Sequence, residues 1–185
     1  MNAIDLLLER NSAPKLVEPA PAGQDLATMF QAALRAPDHA RLRPWRFLTI
    51  SGEARNKLGE VFAEALLQRN PAATEAELDK ARTRPLRAPL LVVVVAKQLP
   101  HPKVPAVEQL LSAGCAAHGL LLAAQALGYA GIWRTGDNAF DQLVMKRLGL
   151  ASDELIVGFL YLGTIEGGYK PLPVLAVEDY VQPWS

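Results

Sequence analysis

Residues 111–136 read LSAGCAAHGLLLAAQALGYAGIWRTG, and the arrangement of the rest of the chain can be built outward from them. No residue between Leu110 and Leu127 is charged, and Gly128 follows the apolar run, as glycine commonly does at the end of a helix. The small residues in the middle of this run would let a helix approach another backbone closely. A buried core helix explains the segment better than a membrane span, although its length permits both.

Apolar residues at helical or strand spacing flank this segment on both sides. Helices are predicted at 3–10, 25–35, 58–66, 105–127 and around Phe140, Leu143, Val144 and Leu148. Strands are predicted at 45–50, 90–96, 130–134 and 155–162. Four successive valines within 90–96 are typical of a strand buried on both faces. More helix than strand indicates an α+β or mixed α/β sandwich.

Composition favours one globular domain, 1–185, with residues 168–185 as an extended arm that carries no core stripe. Lys+Arg and Asp+Glu both number 19, so no excess of positive charge points to nucleic acid. The one cysteine, Cys115, cannot form an internal disulfide, which favours a reducing compartment. The N-terminus has no basic region ahead of its leucines. We therefore expect a cytoplasmic protein without a signal peptide or membrane span.

Several common catalytic motifs are missing from the sequence. There is no GxGxxG, P-loop, HExxH or GxSxG pattern, and His39, His101 and His118 lack metal-ligand spacing. We therefore predict no metal site. Cys115 is interpreted as a small buried hydrophobe, because nothing cationic nearby would activate its thiol. His118, on the same helix, is interpreted as a core or interface residue.

Two arginine-containing segments are candidates for anion binding. Arg10, at the end of the first helix, could clasp a phosphate with help from Ser12, or it could be a solvated helix-end cation. Arg35 and His39 lie in a loop that continues with further arginines. That loop either binds an anion or is an exposed basic connection.

A third candidate is the stretch from Gly131 to Gly136. A short strand opens there into a loop with glycine at both ends, so the backbone could approach a flat ligand closely. The alternative is a plain β-turn that carries a half-buried Trp133.

Together, and in this order, these segments resemble the nitroreductase family of FMN enzymes. The resemblance runs from residue 4 to about residue 164. It rests on LLLERNSAPKLVEPAP, RAPDHARLRPWRF, RAPLLVVVVAK, LSAGCAAHGLLLAAQALGYAGIWRTG and KRLG…IVGFLYLGT.

The resemblance implies an α+β fold, with a nitroreductase-like mixed sheet flanked by helices, in an intertwined homodimer. Two FMN molecules would lie at the interface, which helix 105–127 and the C-terminal arm would mostly form. The residues implied in cofactor binding fall into three groups: Arg10, Asn11 and Ser12 for phosphate and ribityl groups, Arg35 and His39 from the other chain, and Trp133, Arg134 and Thr135 along the isoalloxazine.

The sequence departs from the family at two positions. The family usually has a basic or aromatic residue where Asn11 stands, and many members have a lysine or arginine where Pro14 stands. Lys15 is the candidate that would support the charge of the reduced flavin instead. Lys170 is the candidate for a late phosphate-binding cation of larger members.

The implied activity is an FMN-dependent NAD(P)H oxidoreductase. NADH or NADPH would reduce the flavin, and a nitroaromatic or quinone-like acceptor would then take its place in a flat slot beside Trp45 and Trp133. The flavin would carry the chemistry, so no catalytic side chain is predicted. Two alternatives remain open: a flavin carrier or sensor without turnover, and another flavin-dependent reduction or dehydrogenation on the same fold.

Overall fold

The computed structural model describes residues 2–185 and confirms the α+β class. Most predicted elements are found within a few residues of their expected bounds. The helices are α1 Ala3–Glu9, α2 Gly23–Ala33, α3 Ala54–Arg69, α4 Glu75–Thr83, α5 Ala106–Ala126 and α6 Gln142–Arg147. The strands are β1 Leu16–Val17, β2 Trp45–Ser51, β3 Leu90–Lys97, β4 Ala130–Arg134 and β5 Glu154–Ile165.

β3 lies at the centre of the sheet, between β2 and β5, and β4 and β1 both pair with the other side of β5. All of these pairings are antiparallel. Every residue of β3 from Leu90 to Ala96 is buried, as its run of valines predicts. A strand with two buried faces requires a helical layer on each side of the sheet.

Side chains alternate along β3 between two hydrophobic clusters. Leu91, Val93 and Val95 pack in one cluster with Phe62 of α3 and Phe159 of β5. The alternate residues from Leu90 to Ala96 pack in the other cluster with α2 and α5, whose buried members include Met29, Ala116 and Leu120. The two helical layers therefore depend on the same strand.

α5 is buried on one side only. The side that faces the sheet and α2 is almost free of solvent, whereas Val107, Leu111, Cys115 and His118 on the opposite side are exposed. The prediction that Cys115 is buried is therefore wrong for the single chain, because one chain covers only one face of a helix that is apolar nearly all round. By length and composition alone α5 could cross a membrane, and 39% of its most apolar 18-residue stretch is buried inside the protein.

Two further expectations are wrong, and one short strand was not predicted. Trp45 is buried in the core opposite Ala96 of β3, so it cannot line an acceptor slot in this chain. Phe140 lies ahead of α6 and is exposed, because Asp141 caps the helix after it. The two-residue strand β1 is too short for any periodicity to reveal, and it forms by pairing with the end of β5.

An ion pair joins the start of β5 to β2. Arg46 Nε and Nη2 donate to the two carboxylate oxygens of Glu154, each at 2.6 Å, and Glu154 also accepts from the Ala151 amide. Glu154 is 7% exposed and Arg46 is 35% exposed. The hydrogen bond from Arg46 lowers the pKa of Glu154, and burial opposes this shift.

We expect Glu154→Gln to lower the free energy of unfolding by about 1–2 kcal/mol near pH 7, because a charge-assisted hydrogen bond is lost while water reaches part of Arg46. The pKa of Glu154 is lower in the folded state than the ordinary carboxyl value of 4.5. Its contribution to the free energy of unfolding is therefore present above pH 4.5 and is lost as the pH falls through the lower folded-state pKa. Urea denaturation of both proteins from about pH 7 to about pH 3 measures this.

The matched control is Glu64→Gln, since Glu64 pairs with Arg147 on an exposed surface. We expect that change to have little effect on unfolding. A difference between wild type and Glu154→Gln that stays constant through the acid range would contradict the assignment.

Candidate flavin site

A cavity of about 640 Å³ opens where β4 ends, on the α3 and α4 side of the sheet. We call it the cationic pocket. Its lining includes Trp133, Arg134 and Thr135, the three residues implied along the isoalloxazine, together with Phe62, Lys80, Arg84, Arg87, Gly136, Asp137, Asn138, Phe159 and Tyr161. The structure therefore places the candidates at the end of β4 in a pocket whose other walls come from α3, α4, β5 and the turns that follow α4 and β4.

The cations of this pocket lack carboxylate partners. Within residues 2–185, no ion pair involves Lys80, Arg84, Arg87 or Arg134, and Asp137 is the only carboxylate in the lining. Four other arginines, Arg46, Arg69, Arg82 and Arg147, are paired with carboxylates, whereas the remaining five form no ion pair with a described residue. Uncompensated positive charge in a concave site attracts an anionic ligand.

Arg134 sits in the inner part of this pocket. Its Nε is buried and has no hydrogen-bond partner among the described residues, while its guanidinium carbon lies 5.7 Å from the centre of the Tyr161 ring. Burial raises the pKa of Tyr161, although Arg134, Arg87 and Arg84 oppose the shift. Tyr161 is therefore neutral near pH 7, and its hydroxyl can donate a hydrogen bond. A buried N–H without a partner is uncommon, and a bound ligand would satisfy it.

The indole of Trp133 is held flat against β5. Its Nε1 donates to the carbonyl of Val157 at 3.3 Å, and the neighbouring Gly158 leaves room for the ring. A methyl group added at Gly158 would lie 2.6 Å from the indole Cδ1. This glycine belongs to the quoted IVGFLYLGT stretch, but the structure alone reveals that Trp133 requires it.

On the opposite side of the sheet, Trp133 also lines an apolar groove of about 720 Å³ along the exposed face of α5. We call it the α5 groove. Arg35, Cys115, His118 and Phe140 are among its lining residues. Trp133 thus separates a cationic cavity from an apolar one, and Arg35 lies in the latter.

The segment after α1 runs beside β4. The Ala13 amide donates to the Gly131 carbonyl at 3.1 Å, which places Arg10, Asn11 and Ser12 near the strand that carries Trp133. Asn11 Nδ2 donates to the Lys170 carbonyl at 2.6 Å, and Asn11 Oδ1 accepts from the Ser12 amide. Asn11 thereby joins the N-terminal segment to the start of the arm. Arg10 is half-buried and forms no ion pair with a described residue.

The loop that contains Arg35 and His39 is held against α5. His39 Nδ1 lies 2.7 Å from Glu108 Oε2, and Ser112 Oγ donates to the Pro37 carbonyl. The Asp38 carboxylate accepts from the amides of Leu42 and Arg43. His39 therefore lies at the N-terminal end of α5 and does not reach the cationic pocket.

One chain does not bring all eight predicted residues into one cavity. Trp133, Arg134 and Thr135 share the cationic pocket, while the other five lie beside β4, in the α5 groove or at the start of α5. Lys15 is exposed and pairs with Glu166 at 3.8 Å, away from the pocket lining.

Sequence reasoning missed Lys80, Arg84 and Arg87. Their spacing of four and three residues places cations on one side of a helical segment. That spacing, just ahead of a strand with two buried faces, was the available signal.

Comparisons with known proteins agree with this fold. The Nitroreductase family model matches residues 8–164. The Escherichia coli K12 protein named "Putative NAD(P)H nitroreductase YdjA" is 43% identical over 164 residues, which cover 89% of this chain and 88% of the relative. A Haemophilus influenzae protein named "Putative NAD(P)H nitroreductase" is 37% identical over 183 residues and 98% of both chains.

Solved structures share the architecture. A nitroreductase-like family protein from Bacillus cereus superposes with a TM-score of 0.85 at 20% identity, over 100% of this chain and 96% of the other. The FMN and NADPH-dependent nitroreductase NfnB from Sphigopyxis sp. strain HMH gives a TM-score of 0.78 at 17% identity, over 100% of both chains. At these identities the likeness shows the fold.

The fold and its cavities define an α+β protein of the nitroreductase-like class. With a family match over most of its length and relatives at 37–43% identity, the chain belongs to the nitroreductase family and is an oxidoreductase.

Proposed function

We propose that this oxidoreductase depends on FMN and passes hydride from NADH or NADPH to nitroaromatic or quinone-like acceptors. The observation that carries the proposal is that Trp133, Arg134 and Thr135 line the same pocket as cations that form no ion pair with a described residue. The names of YdjA, an NAD(P)H nitroreductase, and of NfnB, which depends on FMN and NADPH, support the same assignment.

The cationic pocket fits a flavin ring. Its volume lies within the range of small-molecule sites, and its lining is mainly polar, with Trp133 as the accessible aromatic side chain. Bound FMN would accept hydride from the nicotinamide and deliver it to the acceptor. Arg134, with its unsatisfied Nε, and the backbone beyond Thr135 would bind the polar edge of the ring.

The remaining candidates would hold the rest of the cofactor. Arg10 and Ser12 would bind the phosphate, since they lie beside β4 and Arg10 has no carboxylate partner among the described residues. Asn11 would orient this segment through Lys170. The packing of Trp133 on Gly158 would keep the wall of the site rigid, while solvent supplies protons.

We propose that the working form is a homodimer. The chain exposes 10993 Å², whereas a monomer of its mass, 20.0 kDa, exposes roughly 8,700 Å². The excess of about 2,300 Å² is comparable with obligate dimer interfaces. It includes the apolar face of α5, the exposed leucines of α1 and the arm, where Val174 and Trp184 are almost fully exposed.

A second copy would complete the site. The second copy would cover the α5 groove, which shares Trp133 with the cationic pocket. From that side, Arg35 and His39 of the second copy would approach the flavin of the first copy. A reducing cytoplasm, which holds the nicotinamide donor and keeps Cys115 free, is the proposed location.

The proposal is tested by the absorbance spectrum of purified protein under anaerobic conditions. We expect a yellow protein that binds FMN, is bleached by NADH or NADPH and regains its colour with a nitroaromatic. A yellow protein that neither nicotinamide bleaches would favour a carrier or sensor. Bleaching without nitroaromatic turnover would favour another flavin-dependent reduction, and a colourless protein that cannot take up FMN would contradict the proposal.

We expect Arg10→Ala to weaken FMN binding about 30-fold, since losing a charged partner of a phosphate costs on the order of 2 kcal/mol. Ser12→Ala should cost about 1 kcal/mol, as for a neutral hydrogen bond. FMN titration followed by fluorescence measures both, with circular dichroism to check folding. Lys15→Ala is the matched control and should bind FMN like wild type. Equal affinity in Arg10→Ala would leave Arg10 as a helix-end cation.

We expect Leu111→Glu to convert the dimer into monomers and to release FMN, because it places a charge at the centre of the exposed α5 face. Sedimentation equilibrium measures the mass. Leu67→Glu, a similarly exposed leucine on α3, is the control and should remain dimeric. A wild-type monomer at micromolar concentration that still holds FMN would rule out the shared site.

A further inference from the structure

The cationic pocket carries more positive charge than a bound flavin ring can balance. Lys80, Arg84, Arg87 and Arg134 face one carboxylate, that of Asp137. On the proposed function, a reduced flavin ring adds one negative charge, and its phosphate is assigned to Arg10 outside this pocket. A surplus of about two positive charges remains for another ligand of the same site.

The surplus comes from one segment of the chain. Lys80 belongs to α4, and Arg84 and Arg87 belong to the helical turn that follows it, whereas Arg134 is the last residue of β4. Arg84 and Arg87 form no ion pair within residues 2–185. The neighbouring Arg82 is different, because it binds Glu60, Glu75 and Asp79 on the surface. Arg84 and Arg87 are therefore free to bind a ligand that lies beside the flavin.

The rest of the lining describes that ligand. Phe62, Phe159 and Tyr161 lie at the floor of the pocket but are only 2–4% exposed, so Trp133 is the aromatic side chain of the lining that a ligand can reach. An aromatic side chain of this kind suits a flat ring. Guanidinium groups bind carboxylates through two parallel hydrogen bonds.

We propose that the acceptors of this enzyme are aromatic compounds that carry a carboxylate, and that Arg84 and Arg87 select them by binding this group. The inference rests on the proposed function and names the substrate class of the same site. In each half-reaction with a nitro compound, one hydride and one solvent proton reach the nitro group. One N–O bond breaks and water leaves, so the carboxylate is a binding group and is not consumed.

The test compares two acceptors that differ only in charge, 4-nitrobenzoate and 4-nitrobenzamide. We expect the wild-type holoenzyme to have the higher kcat/KM for the benzoate, and added salt to reduce this preference. In Arg84→Gln or Arg87→Gln the ratio of the two kcat/KM values should fall about tenfold, the loss expected for one charged hydrogen bond. Arg147→Gln makes the same change of charge outside the pocket, and its ratio should match wild type.

Equilibrium binding gives a second readout that involves no turnover. Oxidised holoenzyme is titrated with 4-aminobenzoate and 4-aminobenzamide, which the flavin cannot reduce, and the flavin absorbance reports binding. We expect tighter binding of the benzoate in wild type and in Arg147→Gln, and loss of the difference in the two pocket variants. Neither pocket arginine belongs to the core, so both variants should fold and bind FMN.

The ratio of kcat/KM for 4-nitrobenzoate to that for 4-nitrobenzamide shows whether Arg84 and Arg87 bind the acceptor or instead bind the flavin or the nicotinamide. If both acceptors decline together in Arg84→Gln and Arg87→Gln, the arginines act on another ligand and the proposal is wrong. A wild-type enzyme that does not prefer the benzoate also overturns it. If the pocket variants take up FMN and are bleached normally but keep the wild-type ratio, only the proposed acceptor class is wrong. If the wild-type protein does not take up FMN, the proposed function is wrong as well.

Discussion

The structure depends on the burial of β3 from both sides. A strand made of leucine and valine, with no face that tolerates water, is stable only between two apolar layers. α3 and α4 supply one layer, and α2 and α5 supply the other. Because β3 pairs with both β2 and β5, the same burial also sets which strands lie at the sheet edges and leaves β4 at the border where the candidate site forms.

That border explains the chemistry of the site. The end of β4 lies beyond the fully covered part of the sheet, so polar side chains from β4, α4 and the turn after α4 can meet there without being sealed in the core. Four arginines elsewhere in the chain are paired with carboxylates, whereas those of the pocket face only Asp137. The buried Nε of Arg134 has no partner among the described residues, which is unfavourable without a ligand, and this is the physical reason to assign the pocket to an anion.

The other side of the sheet has a different imbalance. α5 buries the face that touches the sheet and α2 but exposes Val107, Leu111 and Cys115. A single chain has no element left to cover this face, since the residues after β5 extend away from the core as an exposed arm. Both features favour a second copy of the chain, and Trp133, which lines the α5 groove as well as the cationic pocket, would then lie close to both copies.

The sequence by itself determined most of the elements, the α+β class and the family, because apolar periodicity and short local motifs are properties of neighbouring residues. It also indicated Trp133, Arg134 and Thr135, whose strand and loop are encoded within a few residues. Only the tertiary structure decided that Lys80, Arg84 and Arg87 join them, that Trp45 is core, and that Cys115 is exposed. Those outcomes depend on contacts between segments 40 or more residues apart and on how many sides of a helix one chain can cover, and local patterns carry no information on either.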